Sequence, residues 1–388
     1  MKKTIKDFDL EGKRVIIRCD LNVPMKDGVI LDDTRIRASV RTIKYAINHK
    51  AKVILLSHLG RVKTLDDKRG NSLYPVCFAL SNYLKCEVKF SFETSGDETR
   101  DMAFNLKEGE VLLIENTRFE DICGNKESLC DTKLSKYWAS LGDIFINDAY
   151  GSSHRNHASV TGIPKYLPSG IGFLVEREIK KLDGILYSNT HPFVVIMGGG
   201  KVDDKIVLIE KLLPSCDKLL IGGAMAFTFL KALGYNTGKS IVSHDKVDMI
   251  SDILDKYKEK IVLPVDFITA SLEDKNIDDF DDNDVGCDIG PITIKRFCKE
   301  MCDAKRVIMN GPMGICEDER FAGGTLKVFK YLDKNKIKTL IGGGDSASIV
   351  NKLGYDDSFY HISTGGGATL KYMETGSLVG IDAISDVN

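Results

Sequence analysis

One recurring order constrains this chain more than any other feature. A short, almost wholly apolar run is followed by a turn rich in glycine or in charge, and then by an amphipathic stretch. The runs expected as strands are residues 14–18, 52–57, 110–114 and 143–147 in the first half. In the second half they are residues 193–197, 218–221, 260–263, 306–309, 339–341 and 360–362. Between them, apolar residues recur at helical spacing, as in Ile36, Val40, Ile43, Ala46 and Ile47. Strands this apolar must be covered on both faces, which predicts mostly parallel sheets flanked by helices. Glycine and proline crowd residues 164–172, and residues 173–186 carry a helical pattern that would connect two such sheets. The expected fold class is α/β, with two Rossmann-like domains joined by a connecting helix. A length of 388 residues suits two domains of ordinary size.

Charge and cysteine usage narrow the function classes. Lys plus Arg number 54 against 56 for Asp plus Glu, so bulk charge gives no support for a nucleic-acid binder, and any basic site is local. The opening residues are polar, and no apolar run approaches the roughly 18 residues of a membrane helix. Ten cysteines are too sparse for a disulfide scaffold, which suggests a reduced, cytoplasmic protein without a membrane partner. The closest pair, Cys298 and Cys302, is expected on one helix face as buried thiols rather than metal ligands. The acidic run 273–284 lacks the spaced ligands of a calcium loop and is expected to be a solvated loop.

In open parallel sheets the active crevice lies beyond the carboxyl ends of the strands. In the second half these ends run into Gly198-Gly199-Gly200-Lys201, Gly222-Gly223, Asn310-Gly311-Pro312-Met313-Gly314, Gly342-Gly343-Gly344-Asp345-Ser346 and Ser363-Thr364-Gly365-Gly366-Gly367. Glycine lets a ligand approach backbone N–H groups, and a helix start favours phosphate. Five such turns point to a phosphate-bearing ligand. The dinucleotide fingerprint G-x-G-x-x-G is absent, and the stretch from Gly234 to Ser240 has one residue too few for a P-loop. Lys201 and Lys205 are expected on one face of a helix start, where two cations meet an oligophosphate. Asp345 opens another helix, as an N-cap or as a carboxylate for Mg2+ on phosphates.

The first half ends its strands in charge instead. Asp20 and Asn22 follow the first, with Arg35 at the next helix start. His58, Leu59, Gly60 and Arg61 follow the second, Arg118 another, and His154 and Arg155 the next. Emerging from one sheet edge, the arginines and histidines would converge on a small, multiply anionic substrate, for which guanidinium forks are suited.

The ordered motifs RCDLNVP, DDTRIRA, SHLGR, ENTRF, NDAYGSSHRNHAS, GGGKVDDK, LPVDF, CDIGP, NGPMG, GGGDSA and HISTGGGA closely resemble those of phosphoglycerate kinases, essentially over the whole chain. The resemblance implies a monomeric, cytoplasmic glycolytic kinase that passes a phosphoryl group reversibly between 1,3-bisphosphoglycerate and MgADP. It implies a 3-phosphoglycerate domain over residues 1–172, a hinge over 173–188, a nucleotide domain over 189–370, and a segment 371–388 returning to the first domain. By the same resemblance Asp20, Asn22, Arg35, His58, Leu59, Gly60, Arg61, Arg118, His154 and Arg155 are expected to bind substrate. Lys201, Lys205, Gly222, Gly223, Gly286, Asn310, Glu317, Gly343, Gly344, Asp345 and Ser346 are expected to bind nucleotide, with Asp345 toward Mg2+. Arg35, Lys201, Gly343 and Gly366 are expected to act on the transferring phosphoryl group. The chain departs from the family pattern at Cys19, Leu21, Val62, Gly200, Asp203, Met309 and Cys316, none of which removes a charged or phosphate-facing group. The readings from other classes are a nicotinamide-dependent dehydrogenase and a non-catalytic sugar-phosphate-binding protein.

Overall fold

The computed structural model describes residues 2–203, 205–355 and 357–387, and the side chains of Asp345 and Asn351 lie outside that description, as does anything beyond the backbone at Gly344. The chain divides into two units, Met1–Lys180 with Thr375–Asn388, and Lys181–Glu374. The division falls inside the helix Phe173–Leu186.

The first unit is built on β1 (Arg14–Cys19), β2 (Lys52–Leu56), β3 (Val88–Ser91), β4 (Val111–Ile114), β5 (Ile144–Asp148) and β6 (Ser169–Ile171). They form one sheet in the order β3-β4-β2-β1-β5-β6, and every pairing is parallel. Val15, Ile16 and Ile17 of β1 are fully buried, as helices on both faces require. Two of these strands, β3 and β6, escaped the sequence expectations. Strand β3 is an edge strand whose Lys89 and Phe90 stay half exposed, and β6 is a three-residue strand with a central glycine. Residues 164–172 thus include the last strand of the first sheet.

The second unit has β7 (Phe193–Met197), β8 (Lys218–Ile221) and β9 (Ile261–Val262), followed by β10 (Asp266–Thr269), β11 (Asp274–Asn276) and β12 (Gly286–Ile289). It closes with β13 (Arg306–Asn310), β14 (Lys338–Gly342) and β15 (His361–Ile362). The main sheet runs β9-β8-β7-β13-β14-β15, again parallel, while β10–β12 form a separate antiparallel sheet. The acidic run is therefore not a plain solvated loop. It contributes β11, and Lys275 there gathers Asp281 and Asp284 at 3.4 and 2.9 Å. Cys298 lies in the helix Pro291–Glu300, but Cys302 falls beyond its end and is exposed, so the expected shared helix face does not form.

Register places the chemistry. Cys19 is level with Asp148, Arg18 with Leu56, and Leu55 with Leu113, so the segments after β1, β2, β4 and β5 leave from one edge. In the second sheet Met197 is level with Ile221 and Asn310, and Asn310 with Gly342, so the glycine turns also share one edge.

At the end of β5, the fully buried Asp148 accepts hydrogen bonds from Leu174 N at 2.8 Å and Val175 N at 3.4 Å, holding the start of the helix Phe173–Leu186. Its second oxygen accepts no hydrogen bond of ordinary geometry among the described residues. Burial pushes this carboxyl up to about 7, against the Thr42 hydroxyl, the Leu174 and Val175 N–H groups and Arg177, all of which act the other way. Folding therefore takes up a proton between the ordinary carboxylate range and about pH 7, and the stability so gained is lost as pH rises through that value. Asp148→Asn keeps the accepting oxygen and removes the titration. Urea unfolding is expected to show the variant gaining on wild type between about pH 5 and about pH 8, and an unchanging difference would refute this.

Candidate functional site

In the first unit, Asp20 is buried and accepts from Arg35 Nη1 at 2.8 Å, which fixes the guanidinium at the helix start. That helix, Thr34–Asn48, has Asp33 at its N-cap position without a capping side-chain bond. Asp33 is taken instead by Arg37 Nε at 2.9 Å and by the Tyr83 hydroxyl. Asn22 Oδ1 accepts from Gly60 N at 2.8 Å, and Asn116 Oδ1 accepts from Leu59 N at 3.1 Å. These side chains shape the 58–61 turn, in which Gly60 has φ +62°, and Arg61 projects to solvent.

His58, His154 and His157 all have their protonation disfavoured. Burial is the main cause in each case, and neighbouring arginines add to it. His58 is held well below the usual histidine range by burial and by Arg18, Arg118 and Arg155, and His157 is pushed down to about 3. Arg155 feels burial first, then Arg118 and Arg18, with Asp20 favourable and Arg61 opposed. The predicted residues Arg61, Arg118, Arg155, His58 and His154 thus share one electrostatic neighbourhood, which Arg35 joins through Asp20. The arginines outnumber the carboxylates among them: Asp20 serves Arg35, and Asp121 reaches Arg118 at 3.6 Å. Arg118 Nε and the Thr117 hydroxyl are buried with no hydrogen-bond partner among the described residues. Crowded cations and a buried, unpaired guanidinium N–H are what an anionic ligand would relieve.

Sequence reasoning missed part of this site. Arg18 is fully buried, and so are Glu127 and Ser159 behind it. A charge at the end of an apolar strand was the available signal for Arg18. Nothing in the local pattern marks Glu127.

In the second unit the glycine turns interlock. Gly198 N donates to Asn310 O at 2.9 Å, Gly199 N to Pro312 O at 2.8 Å, and Gly223 N to Met313 O at 3.0 Å. Lys205 Nζ reaches the Gly198 carbonyl within this set. The helix after β7 is only Ile206–Leu212, so Lys205 is its N-cap and Lys201 precedes it in an irregular turn. The expected shared helical face for the two lysines is therefore absent, because the glycine run, with Gly199 at φ +100°, delays the helix. Lys201 is exposed and has no hydrogen-bond or ion-pair partner among the described residues.

Asn310 Nδ2, at the end of β13, is a buried donor without a partner among the described residues, and a Cβ placed on Gly343 would stand 3.0 Å from it. Ser346 Oγ accepts from Gly311 N at 2.9 Å, tying two of the turns together. Gly344 and Asp345 begin the helix Gly344–Lys352, and the Asp345 side chain lies outside the described residues. Gly366, at φ +53°, precedes the helix Gly367–Thr375. Gly222 and Gly223 are buried against Met313 and Gly199 respectively, and Gly286 packs against the tip of the Phe227 ring. Glu317 is exposed, next to Cys316, whose thiol meets Thr325 Oγ1 at 3.2 Å. Among the described residues no group of three or more histidine, cysteine or acidic side chains could hold a metal ion. Any Mg2+ here would arrive on a polyphosphate, for which one carboxylate is enough.

A family profile described as phosphoglycerate kinase matches residues 5–376. A relative from Enterococcus faecalis named phosphoglycerate kinase is 50% identical over 395 residues, spanning 99% of each chain. One of the same name from Macrococcus caseolyticus is 49% identical over 394 residues, spanning 100% of each. The solved structure of phosphoglycerate kinase from Coxiella burnetii superposes with a TM-score of 0.85 at 35% identity, covering 99% of this chain and 98% of that one. That from Pyrococcus horikoshii OT3 gives 0.86 at 32% identity, covering 98% of both.

Proposed function

The chain belongs to the phosphoglycerate kinase family, and from its two sites we propose how it performs that kinase reaction. The first unit binds 3-phosphoglycerate or 1,3-bisphosphoglycerate, and the second binds ATP or ADP with its Mg2+. The dehydrogenase and the non-catalytic alternatives are set aside by family membership. The observation that carries the reading is the cation cluster of the first unit, with its buried Arg118 Nε unpaired among the described residues.

In the ATP-consuming direction the acceptor is a carboxylate, already ionised at neutral pH, so no general base is needed. The histidines agree with this role: held neutral, His58 and His154 offer N–H donors to the substrate phosphate or orient it. Arg61, Arg118 and Arg155 take the phosphate, Asp20 and Asn22 hold the cradle, and Arg35 orients the acceptor carboxylate. Lys201 follows the transferring phosphoryl group, and backbone N–H groups near Gly343 and Gly366 cover its equatorial oxygens. Lys205, Gly222, Gly223, Asn310, Gly344 and Ser346 cradle the nucleotide phosphates, Gly286 floors the base pocket and Glu317 meets the ribose hydroxyls. Asp345 would supply the carboxylate for a Mg2+ that, when bound, neutralises those phosphates. Transfer requires the two sites to meet, so the units close when both substrates are bound. The family resemblance supports a cytoplasmic, monomeric enzyme.

Steady-state turnover tests the reading, with 3-phosphoglycerate and MgATP coupled to glyceraldehyde-3-phosphate dehydrogenase and loss of NADH. The expected result is activity that requires both substrates and Mg2+. Folded protein that binds neither substrate would overturn the proposal.

A further inference from the structure

Behind the cation cluster lies a chain of groups that a bulk ligand cannot reach. Arg18 is fully buried and all three of its nitrogens are committed: Nε donates to Ser159 Oγ at 2.8 Å, Nη1 to Cys19 O at 2.5 Å, and Nη2 to His58 Nδ1 at 3.2 Å. Ser159 is held in turn by Glu127. Its backbone N–H donates to Oε2 at 2.9 Å and its hydroxyl to Oε1 at 2.5 Å. Glu127 is itself fully buried, with His157 Nδ1 at 3.8 Å from the same oxygen. Its main chain is pinned as well, since its carbonyl accepts from Cys130 N at 3.1 Å and Ala158 N at 2.9 Å.

The donor inventory fixes the state of His58. A guanidinium only donates, so Nδ1 must accept, and the ring proton of the neutral imidazole sits on Nε2. Nε2 has no partner among the described residues. Arg18 thereby selects the tautomer that presents an N–H donor. A guanidinium buried among apolar strands is costly without a counter-charge; burial opposes the charge of both Arg18 and Glu127, and each is the foremost charge favouring the other's ionised state.

We propose that Glu127 is a positioning residue for the substrate-anion pocket: through the Ser159 hydroxyl it holds Arg18, and Arg18 holds the His58 ring with its Nε2–H free for the ligand. This rests on the reading of the first unit as the 3-phosphoglycerate site. The test uses Glu127→Gln in the full chain, which keeps the side-chain shape and one accepting oxygen but removes the charge. Binding of 3-phosphoglycerate and of MgATP is measured by calorimetry, and the His58 tautomer by NMR of 15N-histidine-labelled protein. The expected result is a dissociation constant for 3-phosphoglycerate raised by about tenfold or more, the equivalent of one hydrogen bond to a charged group. MgATP affinity is expected to stay unchanged, and the His58 ring signals to leave the pure Nε2–H pattern. Where Glu127→Gln does not fold, Ser159→Ala carries the test, since it cuts the bridge and leaves both charges in place. A folded variant with unchanged 3-phosphoglycerate affinity and an unchanged His58 spectrum overturns the proposal. Wild-type protein that fails to bind 3-phosphoglycerate overturns the functional reading instead, and the histidine spectrum then still decides whether Glu127 governs the ring.

Discussion

Replacing Lys201 with alanine is expected to lower turnover by at least about 100-fold, the scale on which one preorganised donor to a developing charge acts. The fold should be indifferent, because the side chain is exposed and has no described partner, and substitutions of that kind stay within about 0.5 kcal/mol. Lys205 would be a poorer test. Its ammonium is set among the Gly198, Gly199 and Gly311 backbones, so removing it mixes packing with chemistry. The measurement is kcat in the coupled assay beside thermal unfolding of the same preparation. Turnover within a few-fold of wild type would remove Lys201 from the mechanism.

Gly223→Ala is expected to be severely damaging to the second unit. Gly223 has φ +64°, and an added Cβ would stand 2.4 Å from Gly199 N, 2.8 Å from Gly199 O and 2.9 Å from Pro312 O. All three are backbone atoms of neighbouring turns, so no side chain can swing aside. Left-handed strain and the enforced shift together should cost roughly 2–4 kcal/mol. The displaced turns are those proposed to hold nucleotide phosphates, so MgATP affinity should fall while 3-phosphoglycerate affinity holds. Gly200→Ala is the control. Nothing lies within 4 Å of its Cβ position and its φ is outside the left-handed region, so the change is expected to be neutral or slightly stabilising. Wild-type nucleotide affinity in Gly223→Ala would show that the turn tolerates rearrangement.

These cases also show where the sequence was informative. The central strands are legible because parallel strands buried on both faces must be apolar throughout, and β7 and β8 match their expected bounds residue for residue. Edge strand β3 mixes Lys89 and Phe90 with buried neighbours, so its pattern carries no such signature. Strand β11 is too polar to separate from a loop until Lys275 is seen holding two aspartates. Residues at strand ends could be named because topology alone delivers them to one edge. The Arg18–Ser159–Glu127 chain could not, since its members are distant in sequence and each is of a type that normally lies at the surface. The lysine pair failed for a local reason, a glycine run that postpones the helix.

The first unit is completed by the far end of the chain. Lys3 N donates to Ser385 O at 2.9 Å, Gly380 N to Ser153 O at 2.8 Å, and Asn147 Nδ2 to Gly380 O at 2.9 Å. This orders events during synthesis. Residues 1–180 leave the ribosome with an open seam, and 181–374 must all be made before the closing segment exists. At ordinary elongation rates that wait is roughly ten to forty seconds. The unit translated second can therefore be finished before the unit translated first.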